Sequence, residues 1–161
     1  MDFHTRLERA VERGHQTKDA RLREEQARSM TESELKTLHS QARLEVSEHI
    51  ESCLATLSGQ FPGFEYHSIL NDQGWGARVS RDDISLQPGS GSKTLYSRLD
   101  LLVRPFSDLH IVELVGKATI RNKEVFNRTN YQRLDQLDTQ SFREMIDLWV
   151  LEYAERFAAT N

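Results

Sequence analysis

Two acidic residues, Asp100 and Glu113, lie in neighbouring apolar segments of the chain, and as a pair they could act in catalysis or bind a metal ion. The segments are separated by Pro105-Phe106-Ser107-Asp108, a run typical of a turn between two strands. If a tight turn is centred between Phe106 and Ser107, Asp100 lies directly opposite Glu113 in an antiparallel ladder. Facing carboxylates repel each other, so the pair must share a proton, bind a cation or contact a basic side chain.

Basic residues close to this pair offer the simplest way of neutralising it. Arg98, Arg104 and Lys117 are all near the two acidic residues in the sequence. They favour an ordinary cluster of salt bridges over a reactive centre. On this interpretation the same face of the sheet has no catalytic residue, and Arg98 and Arg104 are candidates for binding a ligand.

The alternative interpretation rests on a resemblance. The arrangement resembles the PD-(D/E)XK nuclease superfamily, in which an Asp on one strand and a Glu on the next hold a divalent metal beside a catalytic Lys. The resemblance implies that Asp100 and Glu113 bind an ion such as Mg²⁺, and that the helix from Glu32 is the first core helix. The family's motif has Lys two residues after the Glu, where this chain has Val115, so Lys117 would replace it. The resemblance therefore implies a degenerate metal-dependent phosphodiesterase or nuclease.

Two further patterns match known sites only in part. The run Pro88-Gly89-Ser90-Gly91-Ser92-Lys93-Thr94 has the glycines and the Lys-Thr pair of a phosphate-binding loop. However, Ser92 occupies the position before Lys93 that needs Gly, and a strand is expected to follow in place of a helix. Glu45 and His49 have the i,i+4 spacing of two metal ligands on one helix face, but no third ligand is near them in the sequence.

A local excess of positive charge extends from Lys117 to Arg133, where basic residues alternate with Phe126 and Tyr131. Basic and aromatic side chains together can bind a phosphodiester backbone and stack on bases. Acidic residues such as Glu124 dilute this charge, and the net charge of the chain is −4. Such a charge does not attract nucleic acid or an anionic membrane. Nucleic-acid binding through this segment is therefore a third hypothesis, and nucleic acid is not an expected partner.

Helices at both ends of the chain are predicted from their patterns. Residues 1–29 form a charged N-terminal helix or arm with sparse apolar positions. Thr31-Glu32-Ser33-Glu34 is a capping box, so a second helix begins there, and its apolar stripe continues to Ser58-Gly59. Asp138-Thr139 caps a last helix with a wide aromatic stripe. Cys53 lies on the stripe of the second helix, where we interpret it as a small buried hydrophobic residue.

Strands are predicted between these helices. Residues 64–70 and 75–80 form a first hairpin, and the segment 82–96 contains an exposed loop over residues 87–93. Arg121-Asn122-Lys123-Glu124 predicts another turn, between residues 118–121 and a further strand over residues 125–130. Residues 31–161 then form a single α+β domain. Its fold class is a mostly antiparallel sheet of about five strands covered by long N-terminal and C-terminal helices.

The first hypothesis for function is a non-catalytic module that binds a partner protein or a small ligand, since no nucleophile, acid–base pair or cofactor motif is complete. The aromatic stripe of the last helix, with Trp149 and Tyr153, could enclose an apolar cavity over the sheet. The N-terminal helices are expected to form a homodimer. We expect no cofactor under this hypothesis. One cysteine, no apolar signal segment and no run of membrane-spanning length predict a cytoplasmic protein without a membrane partner.

Overall fold

The structure is a computed structural model that describes residues 2–28, 31–87, 89 and 91–160. The chain divides into two compact units, Met1–Leu35 and Lys36–Asn161. The α+β class is confirmed, with long helices before and after a five-stranded antiparallel sheet. The elements are α1 (Phe3–Arg28), α2 (Glu32–Gln60), β1 (Glu65–Asn71), β2 (Gly74–Gln87), β3 (Gly91–Val103), β4 (Ile111–Ile120), β5 (Lys123–Arg133), a 3₁₀ turn (Leu134–Gln136) and α3 (Thr139–Ala159).

Side-chain caps fix the starts of the helices, as the sequence predicted. In the first unit, the Glu34 backbone N–H donates a hydrogen bond of 3.2 Å to the Thr31 hydroxyl oxygen, and α2 begins at Glu32. At α3, the Asp138 carboxylate accepts a hydrogen bond from the Ser141 N–H. Each cap satisfies a backbone donor that the first helical turn leaves without a partner.

The sheet has the strand order β1-β2-β3-β4-β5, and every neighbouring pair is antiparallel. Strands that follow each other in the chain are therefore neighbours in the sheet, and each connection is a hairpin. The predicted turn between β4 and β5 is confirmed, but it is shorter than the run 121–124 because β5 begins at Lys123. Its central residues, Arg121 and Asn122, both have positive φ angles, 49° and 70°. A two-residue turn of this kind matches the right-handed twist of the strands that it joins.

One face of the sheet is covered by α2 and α3 and forms the core. Along each central strand every second side chain points to this face. The buried apolar side chains of the central strands β2, β3 and β4 are Ala77, Val79, Leu99, Leu101, Val103, Val112, Leu114, Ala118 and Ile120. The predicted aromatic stripe of α3 is also confirmed as buried, and it consists of Phe142, Ile146, Trp149, Val150, Tyr153 and Phe157. The opposite face of the sheet, which we call the open face, is not covered by these helices.

The predicted register between β3 and β4 is wrong by four residues. Asp100 pairs with Lys117, and Val103 pairs with Leu114. Glu113 lies beside Arg104, whose N–H donates a hydrogen bond of 2.9 Å to the Glu113 carbonyl oxygen. The connection is a loop of several residues because Pro105 cannot donate to a ladder. In addition, the Phe106 ring packs edge-on against His39 of α2 at 5.7 Å, which draws the loop away from a tight turn.

The bounds expected for the exposed loop, residues 87–93, are also wrong, because residues 91–93 belong to a strand. β2 continues to Gln87 and β3 begins at Gly91, so that Asp82 pairs with Tyr96 and Leu86 with Ser92. The two strands extend beyond their neighbours as a ribbon, and Asn122 of the turn between β4 and β5 forms hydrogen bonds with Thr94 and Tyr96 of this ribbon. This ribbon is difficult to predict from the sequence because its apolar residues, such as Ile84 and Leu86, are exposed. In the described part of the chain, no helix covers them.

The contact between α3 and the sheet generates a prediction about Gly116. A Cβ atom at this position would lie 2.7 Å from a ring carbon of Trp149, which is too close. We expect Gly116→Ala to lower the free energy of unfolding by about 1–3 kcal/mol, because the buried indole has no free space to move into. Gly59→Ala in α2 is the control, since a Cβ there meets nothing within 4 Å. Equal thermal unfolding temperatures for the two variants would contradict the packing of Trp149 on Gly116.

Candidate functional site

The open face of the sheet has a polar pocket of about 270 Å³ over its central strands. Four basic side chains and one carboxylate line it, which leaves a surplus of three positive charges. We call it the basic pocket. Its lining residues are Arg78, Arg98, Arg104, Lys117 and Asp100, the amides Asn71 and Gln73, and the apolar Ile69, Leu102 and Val115.

Asp100 organises the basic residues of the pocket. It lies on β3 between Arg78 of β2 and Lys117 of β4, its two partners across the ladders. The Arg78 guanidinium donates to both carboxylate oxygens, at 2.7 Å from Nε and 3.0 Å from Nη2. Arg98 Nε lies 3.6 Å from Oδ2 of the same carboxylate. These hydrogen bonds raise the pKa of Arg78 and compensate the burial of Asp100.

The other two basic residues of the pocket, Arg104 and Lys117, have no acidic partner among the described residues. The Arg104 guanidinium donates a hydrogen bond of 2.8 Å to the side-chain oxygen of Gln73, which carries no charge. In the described part of the chain, no ion pair involves Arg104 or Lys117. Two of the three surplus positive charges are therefore on side chains without an acidic partner, and an anion could bind there.

Asp100 and Glu113 do not form the pair of carboxylates that the nuclease resemblance implies. Both lie on the open face, but the ladder partner of Asp100 is Lys117, four residues from Glu113 along β4. Four residues of a strand span about 13 Å. Glu113 pairs instead with Tyr131 of β5 and lies beside Arg104. The two-carboxylate geometry on which the Mg²⁺ interpretation depended is therefore absent.

Trp149 and Tyr153, the other candidate binding residues, lie on the opposite side of the sheet from Arg98 and Arg104. Tyr153 is fully buried, and its hydroxyl donates a hydrogen bond of 2.9 Å to the Thr119 carbonyl oxygen. Its burial raises the pKa of Tyr153. Both rings fill the space between α3 and the sheet where an apolar cavity was expected. The four predicted binding residues thus divide into two in the basic pocket and two in the core.

The basic segment from Lys117 to Arg133 has most of its arginines engaged. Arg128 binds Glu152 of α3 in a bidentate pair, with distances of 2.5 Å and 3.2 Å. Arg133 lies 2.8 Å from Asp135. Phe126 is buried, so it cannot stack on a base. Two arginines of the segment are thus in ion pairs and one of its two aromatic rings is buried, which does not favour the nucleic-acid hypothesis.

A second polar cluster, which the sequence analysis missed, lies between α2 and α3. His49 Nε2 is 2.7 Å from Asp147 Oδ1, and the Cys53 sulfur is 3.5 Å from His49 Nε2 and 3.4 Å from Asp147 Oδ1. Cys53 is only half-buried and has polar partners, so the interpretation as a simple buried hydrophobic residue is wrong. The i,i+4 spacing of His49 and Cys53 was the available signal. Asp147 is distant in the sequence, and only the fold brings it there.

The surroundings of Cys53 predict a slow reaction with iodoacetamide. Burial, followed by the hydrogen bond to Asp147, raises the pKa of the Cys53 thiol to about 11. At pH 8 the reactive thiolate is then about 100-fold scarcer than in a thiol of pKa 9.0. We expect the alkylation rate, followed by mass spectrometry, to rise with pH up to pH 10 without a plateau. Asp147→Asn should increase the rate, whereas the control Asp108→Asn should not. A plateau near pH 9 in the parent protein would contradict the assignment.

Comparison with other proteins gives no family for the chain. No protein-family model matches it, and no curated protein or solved structure is similar enough to count as a match. Within the described residues, no helix is both long and apolar enough to cross a membrane.

Proposed function

We propose that the protein is a binding module for a small anionic ligand, which it holds in the basic pocket on the open face of the sheet. The ligand carries a carboxylate or phosphate group. The observation that carries this proposal is the surplus of positive charge in one pocket, of which Arg104 and Lys117 are free of ion pairs within the described chain. A non-catalytic module that binds a small ligand was part of the first hypothesis from the sequence, and we assign its ligand to the basic pocket.

The orientation of the arginines supports an anionic ligand. Asp100 holds Arg78 in a fixed bidentate geometry, and Arg98 approaches the same carboxylate. A guanidinium that is already held in place loses less conformational freedom when it binds a second anion. Its remaining N–H groups can donate to a carboxylate or phosphate oxygen. Asp100 therefore acts as a positioning residue, and it need not touch the ligand.

The remaining lining residues limit the size and chemistry of the ligand. Ile69, Leu102 and Val115 supply an apolar part of the pocket, while Asn71 and Gln73 supply amide groups. A volume of about 270 Å³ is slightly below the usual range of small-molecule sites, which begins at about 300 Å³. A small organic acid or phosphate ester with a short apolar part fits these features better than a macromolecule, which needs a far larger contact area.

Neutralising the free basic residues tests the proposal. We expect Arg104→Gln and Lys117→Gln each to weaken the binding of pyrophosphate or citrate by about 10-fold or more, since each removes a charge-assisted hydrogen bond. Isothermal titration calorimetry at constant ionic strength measures the dissociation constants. Lys123→Gln, at the start of β5, is the matched control and should leave them unchanged. The proposal fails if the double variant Arg104→Gln/Lys117→Gln binds these anions as tightly as Lys123→Gln does. It also fails if the parent protein binds neither anion at millimolar concentration.

We also propose that α1 associates with a second copy of the chain. The favouring observation is that Phe3, Leu7 and Val11 follow each other at four-residue steps and are all exposed, with relative exposures of 75%, 47% and 50%. Such spacing places them on one helix face. A second helix with the same stripe could cover them, as in a two-stranded coiled coil.

Light scattering of the full chain after size-exclusion chromatography tests this association. We expect the parent to elute as a dimer and the double variant Leu7→Glu/Val11→Glu to elute as a monomer, because two charges on each helix would face the partner. Leu44→Glu, an exposed leucine of α2, is the control and should remain dimeric. A monomeric parent at tens of micromolar protein would refute the proposed association.

A further inference from the structure

The cluster of His49, Cys53 and Asp147 brings three different donor atoms to one point. His49 and Cys53 are one turn apart on α2, and Asp147 reaches them from α3. The imidazole nitrogen, the sulfur and one carboxylate oxygen all lie within 4.8 Å of one another. From this convergence we propose that the three side chains bind a divalent transition-metal ion, with Zn²⁺ as the best fit. The site is separate from the basic pocket and does not depend on the function proposed there.

The distances agree with tetrahedral coordination. Zinc bonds of about 2.3 Å to sulfur and about 2.1 Å to nitrogen and oxygen place the donors about 3.4 to 3.6 Å apart. The sulfur lies 3.5 Å from His49 Nε2 and 3.4 Å from Asp147 Oδ1, close to these values. Only the separation of His49 Nε2 and Asp147 Oδ1, at 2.7 Å, must increase. That short distance is a hydrogen bond, and an ion that displaces its proton would part the two atoms through small side-chain rotations.

The same geometry does not fit a catalytic cysteine. In a nucleophile–histidine–acid triad, one imidazole nitrogen takes the proton of the nucleophile and the other donates to the acid. Here Cys53 and Asp147 both contact Nε2 of His49. The histidine therefore cannot serve as a base for the thiol while the aspartate orients it. A metal ion, in contrast, needs several donor atoms around one position, and these three side chains provide them.

Charge and donor type determine the class of ion. When a metal displaces the thiol proton, one thiolate and one carboxylate balance the two positive charges of the ion, with the imidazole neutral. Sulfur and nitrogen donors favour zinc and similar transition metals over Mg²⁺ and Ca²⁺, which prefer oxygen ligands. Glu45, the partner that the sequence suggested for His49, faces Arg143 at 3.7 Å and is not part of this set.

Three protein ligands leave one tetrahedral position for water or another small ligand. A groove of about 280 Å³ adjoins the cluster and shares Cys53 and Asp147 with it. Its other lining residues are Ser52, Thr56, Val150 and Leu151. The side chain of Asp147 is about half exposed, at 51%, so an ion can reach the donors from solvent. The groove is where the fourth ligand would lie.

Cobalt substitution tests the site without any assay of activity. We expect the untagged full chain to bind one Co²⁺ and to show a thiolate-to-cobalt charge-transfer absorption, and one Zn²⁺ to displace the cobalt. Cys53→Ser should remove the charge-transfer band. His49→Gln and Asp147→Asn should weaken Zn²⁺ binding by more than the roughly 10- to 100-fold that changes around a metal site cause. Competition with a chromophoric chelator measures the affinities.

A histidine outside the cluster provides the matched control for the cluster variants. His67→Gln removes a histidine of β1 that lies outside the cluster, so it should retain the absorption band and the Zn²⁺ affinity. Thermal unfolding without metal confirms that each variant is folded. Zn²⁺ should raise the unfolding temperature of the parent and of His67→Gln, but not of the three cluster variants. The proposal is overturned if folded Cys53→Ser keeps the band, or if the parent shows no band with excess Co²⁺.

Discussion

The burial of one face of the sheet under two helices is the constraint on which the other features depend. Side chains of a strand alternate between its faces, so the apolar residues that pack on α2 and α3 commit their neighbours to the open face. Leu99 and Leu101 are fully buried, and Asp100 between them must therefore point away from the core. The basic pocket is a consequence of that alternation, because its strand residues are those that the core does not use.

The row of charges across the central strands helps to fix the register. Arg78, Asp100 and Lys117 are ladder partners on β2, β3 and β4, so the charges alternate positive, negative, positive. Slipping β4 by two residues would keep its apolar residues buried but would place Val115 or Thr119 opposite Asp100. A largely buried carboxylate would then lose a neighbouring positive charge. The hydrophobic pattern selects the faces, and the charges help to select among the registers that this pattern allows.

Most elements could be predicted from the sequence because their signals are local. The capping box at Thr31, the stripe of α3 and the turn at Arg121-Asn122 each depend on residues within a few positions. The register of β3 and β4 could not be predicted in this way, because the contact between Phe106 and His39 shapes the loop and joins distant segments. The cluster of His49, Cys53 and Asp147 could not be predicted for the same reason. Its aspartate lies on a helix that follows the whole sheet, and a single sequence does not show which residues of two helices meet.

The hydrogen bonds of Asp100 favour the proposed binding role of the pocket over a role in proton transfer. A general base needs a free lone pair that faces the substrate. Both oxygens of Asp100 already accept hydrogen bonds from Arg78, and Arg98 lies near one of them. Arginine remains protonated and has no acceptor atom, so none of the three arginines can act as a base. The contacts that hold the guanidinium groups in place therefore also engage both oxygens of the carboxylate that a water-activating role would need.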